Sequence, residues 1–296
     1  MKRIRIPLVL LVLAALACNF GASRPTPPPA TVIVQQETAQ VPAPATDEQP
    51  ADEPQTPSFP GQPFAYDILT GAIPPGLASS VSGETLPQAL GDDMPPWEVT
   101  PGHIEVGLDG YVLGEKFHQP RLYVFPVFGL AAAQQGAANN INRLNEILSN
   151  PGAPLTASDL PGVHFFNAGA VFAADAQIIP FQNGSGVRAL TVYAQYFAPA
   201  NNEDLFYHFQ GLTGDGQSYI IAILPVTHPG LPRDWQDESM PPGSDFPAFP
   251  GYEASEQALA GYYRTVSDLL TAADPDSFSP SLNDLDNLIQ SLLISP

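Results

Sequence analysis

The hydrophobic positions between residues 186 and 226 follow the period of β-strands. From Gly186 to Ala198, Leu190 and Val192 alternate with polar or smaller neighbours, which predicts a strand. Two further apolar runs, 201–213 and 217–226, flank Gly214-Asp215-Gly216. Large apolar side chains occupy both faces of the first run, which predicts an interior strand pair. The glycines accept the positive φ of a tight reversal, so the centre predicts a hairpin bend and not a phosphate or calcium loop.

Other segments carry weaker strand patterns. The stretch 103–114 predicts two short strands around Leu108-Asp109-Gly110, and 120–128 predicts another because it is β-branched and aromatic. The stretch 168–181 predicts one strand or a short pair of strands. The Pro- and Gly-rich stretch 66–102 lacks periodic signals and is expected to be irregular chain, as is the polar stretch 233–253.

Three segments change to the helical period. Ile141, Leu144, Ile147 and Leu148 share one helix face, and Asn150-Pro151-Gly152 should end that helix. Two helices are predicted at the C-terminus, the second entered at Ser279-Pro280. Their apolar stripes consist of Leu259, Tyr262, Tyr263, Val266, Leu269 and Leu270, and of Leu282, Leu285, Leu288, Ile289 and Leu292. Helices packed on an antiparallel β-sheet make an α+β fold, with two C-terminal helices.

The order of strand, hairpin and closing helix loosely resembles the PsbP/Mog1 type of α/β sandwich. The resemblance covers residues 186–226 and the final helix, and it rests on no diagnostic motif. It implies a fold and no activity.

The amino terminus has the pattern of an export signal. Three bases, Lys2, Arg3 and Arg5, precede an apolar run from Ile6 to Ala17, and Cys18 follows. As a helix the run spans about 18 Å, which is short of the roughly 30 Å of a bilayer core. A signal peptide is therefore expected, and not a permanent anchor.

The end of this run, "LAALAC", resembles the lipobox of bacterial lipoproteins. The resemblance implies that residues 1–17 are a lipoprotein signal peptide, that Cys18 is lipidated, and that the protein is anchored on the outer face of the bacterial cell membrane. Cys18 is the only cysteine, so it has no disulfide partner within the chain. The alternative is an ordinary signal peptide with an incidental cysteine near its cleavage site.

Composition separates a tether from a globular domain. Residues 18–61 are rich in Pro, Ala, Thr, Gln and acid and poor in large apolar side chains, which predicts a disordered tether. In an extended polyproline conformation this segment could hold a domain roughly 100 Å from the membrane. Residues 62–296 are expected to form a single globular domain.

Charge excludes some partners. The formal net charge is −20, from 10 Lys and Arg against 30 Asp and Glu. Removal of residues 1–17 takes away three of the bases and leaves 7 − 30 = −23. Such a chain repels nucleic acid and anionic lipid headgroups, so neither is an expected partner.

The sequence contains no catalytic motif. Ser185 lies between glycines in "NGSGV", which is not the G-x-S-x-G pattern of a nucleophile elbow. The five histidines form no i, i+4 pair and no H-E-x-x-H. No cofactor and no metal site are expected, and the many carboxylates are interpreted as solvated surface.

Five residues are candidates for ligand binding. Trp97 and Trp235 lie in proline-rich segments beside acids, where aromatics suit peptide or carbohydrate contact or pack the loop onto the domain. Arg188 is expected to pair with a buried acid or to face a ligand carboxylate. His164 and His228 lie near predicted strand ends, where a pocket could form.

These observations favour a non-catalytic lipoprotein whose domain binds or scaffolds an extracellular protein, peptide or carbohydrate. The alternative is an extracytoplasmic hydrolase with a carboxylate or metal site assembled by the fold. A pocket joining His164, His228 or Arg188 with an acid would favour the hydrolase, and an aromatic patch around Trp97 or Trp235 would favour binding. A structural envelope protein would show neither feature.

Overall fold

The computed structural model describes residues 59–91, 93–153, 155–236 and 240–295. Cys18, the signal segment 1–17 and the tether up to residue 58 lie outside the described residues. The strands are β1 Gln62–Tyr66, β2 Leu69–Ile73, β3 Ser80–Leu86, β4 His103–Asp109, β5 Arg121–Pro126, β6 Gly169–Ala170, β7 Ala174–Phe181, β8 Gly184–Thr191, β9 Tyr193–Ala194, β10 Phe206–Thr213, β11 Ser218–Pro225 and β12 Leu293–Ile294. The helices are α1 Val127–Ala133, α2 Gln135–Ser149, α3 Glu256–Ala272 and α4 Leu282–Gln290.

The strands form an antiparallel sheet of seven with the order β3-β4-β5-β11-β10-β8-β7. A smaller sheet has the order β1-β2-β12, and β6 pairs with β9. The predicted α+β class, with helices packed on antiparallel strands and two helices near the C-terminus, is confirmed.

The large sheet buries both of its faces. On β10, Tyr207 and Phe209 join the cluster that contains α3, α4 and the small sheet. Phe206 and Leu212, which point the opposite way, join the cluster that contains α1 and α2. We call these sides the α3–α4 face and the α2 face. The run of large apolar side chains on both sides of β10 and β11 follows from this position, because central strands are covered from two directions.

The Gly214-Asp215-Gly216 centre is the bend between β10 and β11. Gly216 has φ +71°, and its N–H donates to the carbonyl of Thr213 at 2.8 Å. The Asp215 carboxylate accepts from the Thr213 hydroxyl at 2.6 Å and from the Gln217 N–H at 3.0 Å. These hydrogen bonds lower the pKa of Asp215. The aspartate therefore completes the turn with bonds of its own, as expected for a hairpin.

The helical predictions agree closely with the structure. Helix α2 ends at Ser149, directly before Asn150, and buries Ile141, Leu144 and Ile147. Helix α3 buries four members of its predicted stripe, and α4 buries its face throughout. The entry to α4 differs slightly, since its cap is Ser281, whose hydroxyl accepts from the Asn283 N–H, and not Ser279-Pro280.

The stretch 66–102 is wrongly predicted as irregular. It contains β2 and β3, and β2 pairs with β1 on one side and with β12 on the other. Leu69 and Ile73 on β2 are buried. These strands are short and interrupted by Gly and Pro, and β2 finds one partner at the other end of the chain. A local pattern therefore gives little sign of them.

Three strand boundaries also differ from the prediction. The stretch 103–114 forms one strand, His103–Asp109, because the chain turns at Gly110 with φ +62°. Tyr111 follows the turn, and its buried hydroxyl donates to the carbonyl of Pro225 at 2.8 Å. Helix α1 starts at Val127, within the predicted strand 120–128. The strand predicted for 186–198 ends at Thr191, and Tyr196 is 81% exposed.

Long connections gather at one end of the large sheet. The stretches between β4 and β5, between β8 and β10, and between β11 and α3 all leave or enter the sheet there, as the antiparallel registers require. We call this the loop-rich end. The stretch 87–102, between β3 and β4, lies at the opposite end together with the β10–β11 bend.

Candidate functional site

The loop-rich end carries an aromatic cleft of about 360 Å³. We call it the Trp235 cleft. Its aromatic lining consists of Trp235, Phe249, Tyr252 and Tyr262, and its remaining wall includes Pro199, Pro232, Pro250 and Met240. Trp235 is 53% exposed and Tyr252 is 58% exposed, so both rings present large apolar faces to solvent. The polar, proline-rich segment after Pro232 and the start of α3 supply most of this wall.

The floor of the cleft is held in place by hydrogen bonds and ring contacts. The Phe249 ring packs edge-on against Tyr252 at 5.2 Å and Tyr262 at 5.3 Å. The Tyr262 hydroxyl accepts from the Ala200 N–H at 2.9 Å. Burial raises the pKa of Tyr262 to about 12, so the hydroxyl stays protonated. Helix α3 thus fixes the chain around Pro199, which forms one side of the cleft.

The lining of the cleft is poor in polar side chains. Among the described residues, its polar side-chain groups are the Trp235 indole and the Tyr252 and Tyr262 hydroxyls, and no charged side chain lines it. An adjoining cavity of about 490 Å³ shares Pro232 and Met240 with the cleft and contains Lys116 and Arg233. Among the described residues, the charged side chains Lys116 and Arg233 therefore lie beside the cleft.

The structure does not bring the two tryptophans together. Trp97 belongs to the stretch between β3 and β4, at the end of the sheet opposite to Trp235. It is 36% exposed. The isolated bridge between Ala89 and Thr100 closes the base of its loop. An extended aromatic surface that includes both tryptophans is therefore excluded.

Arg188 occupies a buried ion cluster on the α3–α4 face. Its side chain is 2% exposed, and Nη1 donates to the Asp175 carboxylate at 2.6 Å and to the Asp175 carbonyl at 2.9 Å. Nε lies 3.3 Å from Asp286 Oδ1 without a well-directed hydrogen bond. The Tyr207 hydroxyl donates to the same oxygen at 2.8 Å. The Arg188–Asp175 pair is the buried ion pair that the sequence favours, and Asp286 is a second acid beside the same arginine.

Burial decides the protonation behaviour of this cluster. It raises the pKa of Asp286, although the Arg188 charge and the Tyr207 hydroxyl act against the rise. It also raises the pKa of Tyr207, with Asp286 contributing in the same direction. The four side chains come from β7, β8, β10 and α4, so the cluster ties the last helix to the sheet.

His164 and His228 lie on different faces of the sheet. The His164 ring contacts Phe125 at 5.0 Å within the α2 face, and both of its nitrogens are buried without a hydrogen-bond partner from any residue that the structure describes. The His228 ring packs between Phe246 and Phe278 on the α3–α4 face, and its Nδ1 accepts from the Gly230 N–H at 3.1 Å. The structure therefore does not bring His164 and His228 together, and the acids beside Arg188 are those of its buried ion cluster.

A histidine cluster on the α2 face escaped the sequence analysis. His103, His118 and His208 lie on this face with His164, among Phe125, Phe166 and Phe206. Burial lowers the pKa of His118 and His164 to about 4 and that of His208 to about 3. The four histidines are far apart in sequence, and no local pattern indicates that they share one face of the sheet.

Among the described residues, no group of three or more His, Cys, Asp or Glu side chains could hold a metal ion. No helix in the described part of the chain is both long and apolar enough to span a bilayer. Comparison with protein families, with curated proteins and with solved structures finds no match to this chain.

Proposed function

We propose that this chain is a lipid-anchored binding protein of the bacterial cell surface. Its domain binds an extended, proline-containing peptide segment of an extracytoplasmic protein in the Trp235 cleft. The observation that carries the proposal is the cleft itself, where Trp235 and Tyr252 are both more than half exposed beside three proline rings. Exposed aromatic clusters of this kind mark interaction surfaces, because burying them on binding is favourable.

The polarity of the cleft supports a peptide over a carbohydrate. Each sugar ring carries several hydroxyl groups that need hydrogen-bond partners, whereas the described lining offers one indole N–H and two tyrosine hydroxyls, one of which already accepts from the Ala200 N–H. A proline-rich segment in the polyproline II conformation needs few donors, and its rings pack between aromatic side chains. Its ordering cost on binding is low because the free segment already favours that conformation.

The amino terminus supports the location. The "LAALAC" resemblance gives Cys18 a role as a lipid attachment point, and two or more acyl chains make a stable anchor. The Pro-rich residues 18–61 would then act as a tether that lets the domain reach partners away from the lipid. The net charge of −20 supports a protein partner over nucleic acid.

An array experiment tests the binding proposal. The full chain with Cys18→Ser, to keep it in solution, is applied to arrays of proline-containing peptides and of glycans. We expect saturable binding to a subset of the peptides. Trp235→Ala should weaken it at least tenfold, since an exposed aromatic anchor carries much of such an interface. Trp97→Ala is the matched control and should leave binding unchanged.

Three results would contradict the proposal. Binding to glycans with no peptide binding would assign the cleft to carbohydrate. Equal loss in Trp235→Ala and Trp97→Ala would show that the cleft is not the site. Absence of binding to both arrays would also count against a peptide ligand.

A further inference from the structure

A second cavity lies on the α2 face, and it shares no residue with the Trp235 cleft. Its volume is about 160 Å³. The polar side chains that line it are Thr191 at the end of β8, Tyr193 at the start of β9 and His208 on β10. The rest of the wall consists mainly of small apolar residues, including Ala168, Ala170 and Ala189.

The hydrogen bonds around Gln210 determine the tautomer of His208. The Gln210 amide nitrogen lies 2.8 Å from the carbonyl of Pro161 and 3.1 Å from that of Gly162, and it must donate to them. Its amide oxygen accepts from the Tyr219 hydroxyl. The same nitrogen lies 2.7 Å from His208 Nε2, so this ring nitrogen must accept. His208 is therefore neutral and carries its proton on Nδ1.

Two donors in this cavity lack acceptors. No described residue accepts from His208 Nδ1–H, although the side chain is only 5% exposed. The Tyr193 hydroxyl accepts from the Val163 N–H at 3.2 Å, and its own proton has no acceptor among the described residues. Burial raises the pKa of Tyr193 to about 12, so this proton is retained. Thr191 is different, because its hydroxyl already donates to the Phe172 carbonyl at 2.6 Å.

Neither donor hydrogen has an acceptor among the described residues, and an acceptor bound in the cavity would satisfy both. No charged side chain of the described residues lines the cavity, so an anion would enter without a counter-ion from them and would lose its hydration. A neutral carbonyl oxygen avoids that cost. The carbonyl of Pro161, which also lines the cavity, has one lone pair left after accepting from Gln210 and could receive an amide N–H. The alanine side chains suit a methyl group.

We propose that this cavity binds an acetamide-type group, with His208 Nδ1–H and the Tyr193 hydroxyl donating to its carbonyl oxygen. The volume is about that of five water molecules in the liquid, which is enough for such a group. The group could be carried by an N-acetylated sugar or by an N-acetylated peptide. The inference is independent of the Trp235 cleft.

The five histidines make imidazole NMR the natural test. In the full chain with Cys18→Ser, labelled with ¹⁵N-histidine, His208 should show a neutral ring protonated at Nδ1. N-methylacetamide should shift the Nδ1–H signal of His208 saturably, and sodium acetate at the same concentration and pH should not. N-acetylglucosamine and N-acetylalanine amide, added separately, then distinguish a sugar from a peptide as the carrier.

Two variants make the test specific. Tyr193→Phe removes one donor and keeps the ring, and we expect at least a fivefold weaker response to N-methylacetamide. Ala170→Leu, at an exposed position of β6 that lines the cavity, should fill the space and abolish the response while leaving the tautomer of His208 unchanged. The proposal is overturned if His208 is protonated at Nε2, if acetate acts like N-methylacetamide, or if folded Ala170→Leu still responds.

Discussion

Acid should destabilise this domain well before its carboxylates are protonated, because three buried histidines on the α2 face have to be neutral. His118 stacks on Phe166 at 5.1 Å and meets Phe206 at 4.4 Å, and its Nε2 has no hydrogen-bond partner among the described residues. Neither nitrogen of His164 has a partner in the described part of the chain, and His208 is held neutral through Gln210. Burial lowers their pKa values to about 4, 4 and 3, from 6.5.

The sign and size of the effect follow from proton linkage. Between pH 6.5 and 4 the unfolded chain binds protons that the folded chain does not, so the free energy of unfolding falls as the pH falls. At pH 5, each histidine should lower the free energy of unfolding by about 2 kcal/mol relative to neutral pH, which is about 6 kcal/mol for the three. Such a loss is comparable with the total stability of many domains, which is about 5–15 kcal/mol.

Two sets of carboxyl groups also contribute to the pH dependence of the free energy of unfolding. The pKa of Asp286 is raised by burial, so its protonation favours the folded state as the pH falls and offsets part of the loss. Asp159, Asp215 and Asp276 have pKa values lowered by hydrogen bonds, and their contributions disappear only below the ordinary pKa of 3.8. The histidines therefore dominate between pH 6.5 and 5.

Urea unfolding at fixed ionic strength, repeated from pH 7.5 to pH 5, measures this dependence. His164→Phe suits the site because the ring already lies among Phe125 and Phe165 and makes no hydrogen bond. We expect the variant to be as stable as the wild type or more stable at pH 7.5, and to lose about 2 kcal/mol less by pH 5. Adding His118→Phe should reduce the loss by about as much again. If His164→Phe loses as much stability as the wild type over this range, the assignment of the acid sensitivity to buried neutral imidazole is wrong.

Three further predictions concern the anchor, the ion cluster and the core. Cys18→Ser should release the protein from the membrane fraction, as immunoblotting of fractionated cells would show, and unchanged membrane retention would refute lipid attachment at this cysteine. Arg188→Leu leaves Asp175 and Asp286 buried without their base and should lower the free energy of unfolding by about 3–5 kcal/mol. The control Arg143→Leu, whose ion pairs are more exposed, should lower it by about 1 kcal/mol or less. Similar losses in the two variants would contradict the role assigned to the buried cluster. Leu144→Ala, at a fully buried position of α2, should cost about 2–5 kcal/mol by urea unfolding, and a loss below 1 kcal/mol would show that α2 does not cover the core as described.

The elements that could be predicted are those whose own residues carry the signal. Helices α2, α3 and α4 each carry an apolar stripe with the helical period. The strands β10 and β11 are adjacent in sequence, and both of their faces are apolar because both are covered. β2 could not be predicted in the same way, because its short run Leu69–Ile73 is stabilised by β1 and by β12 from the far end of the chain. The alternation of apolar and polar residues continues past Thr191 and predicts one long strand that includes Tyr193. In the structure Tyr193 belongs to β9, which pairs with β6 in a separate sheet.

The candidate sites were predicted less well than the elements. Trp235 is a sequence candidate because it lies beside an acid in a proline-rich segment, but the sequence does not assign Phe249, Tyr252 and Tyr262 to the same cleft. Arg188 was recognised as a base in an apolar strand, while the second acid, Asp286, comes from a helix far along the chain. Tyr193 and His208 gave no sign that they line one cavity.

By itself, the sequence determined the acidic character of the chain, the periods of its main helices and central strands, and the bend at Gly214-Asp215-Gly216. These features are local, because the side of an element that faces the core must be apolar whatever covers it. Only the tertiary structure decided which polar and aromatic side chains meet. Tyr193 and His208 share a cavity, and Trp97 and Trp235 lie at opposite ends of the sheet, because the pairing order of the strands and the packing of the loops set distances that no local pattern records.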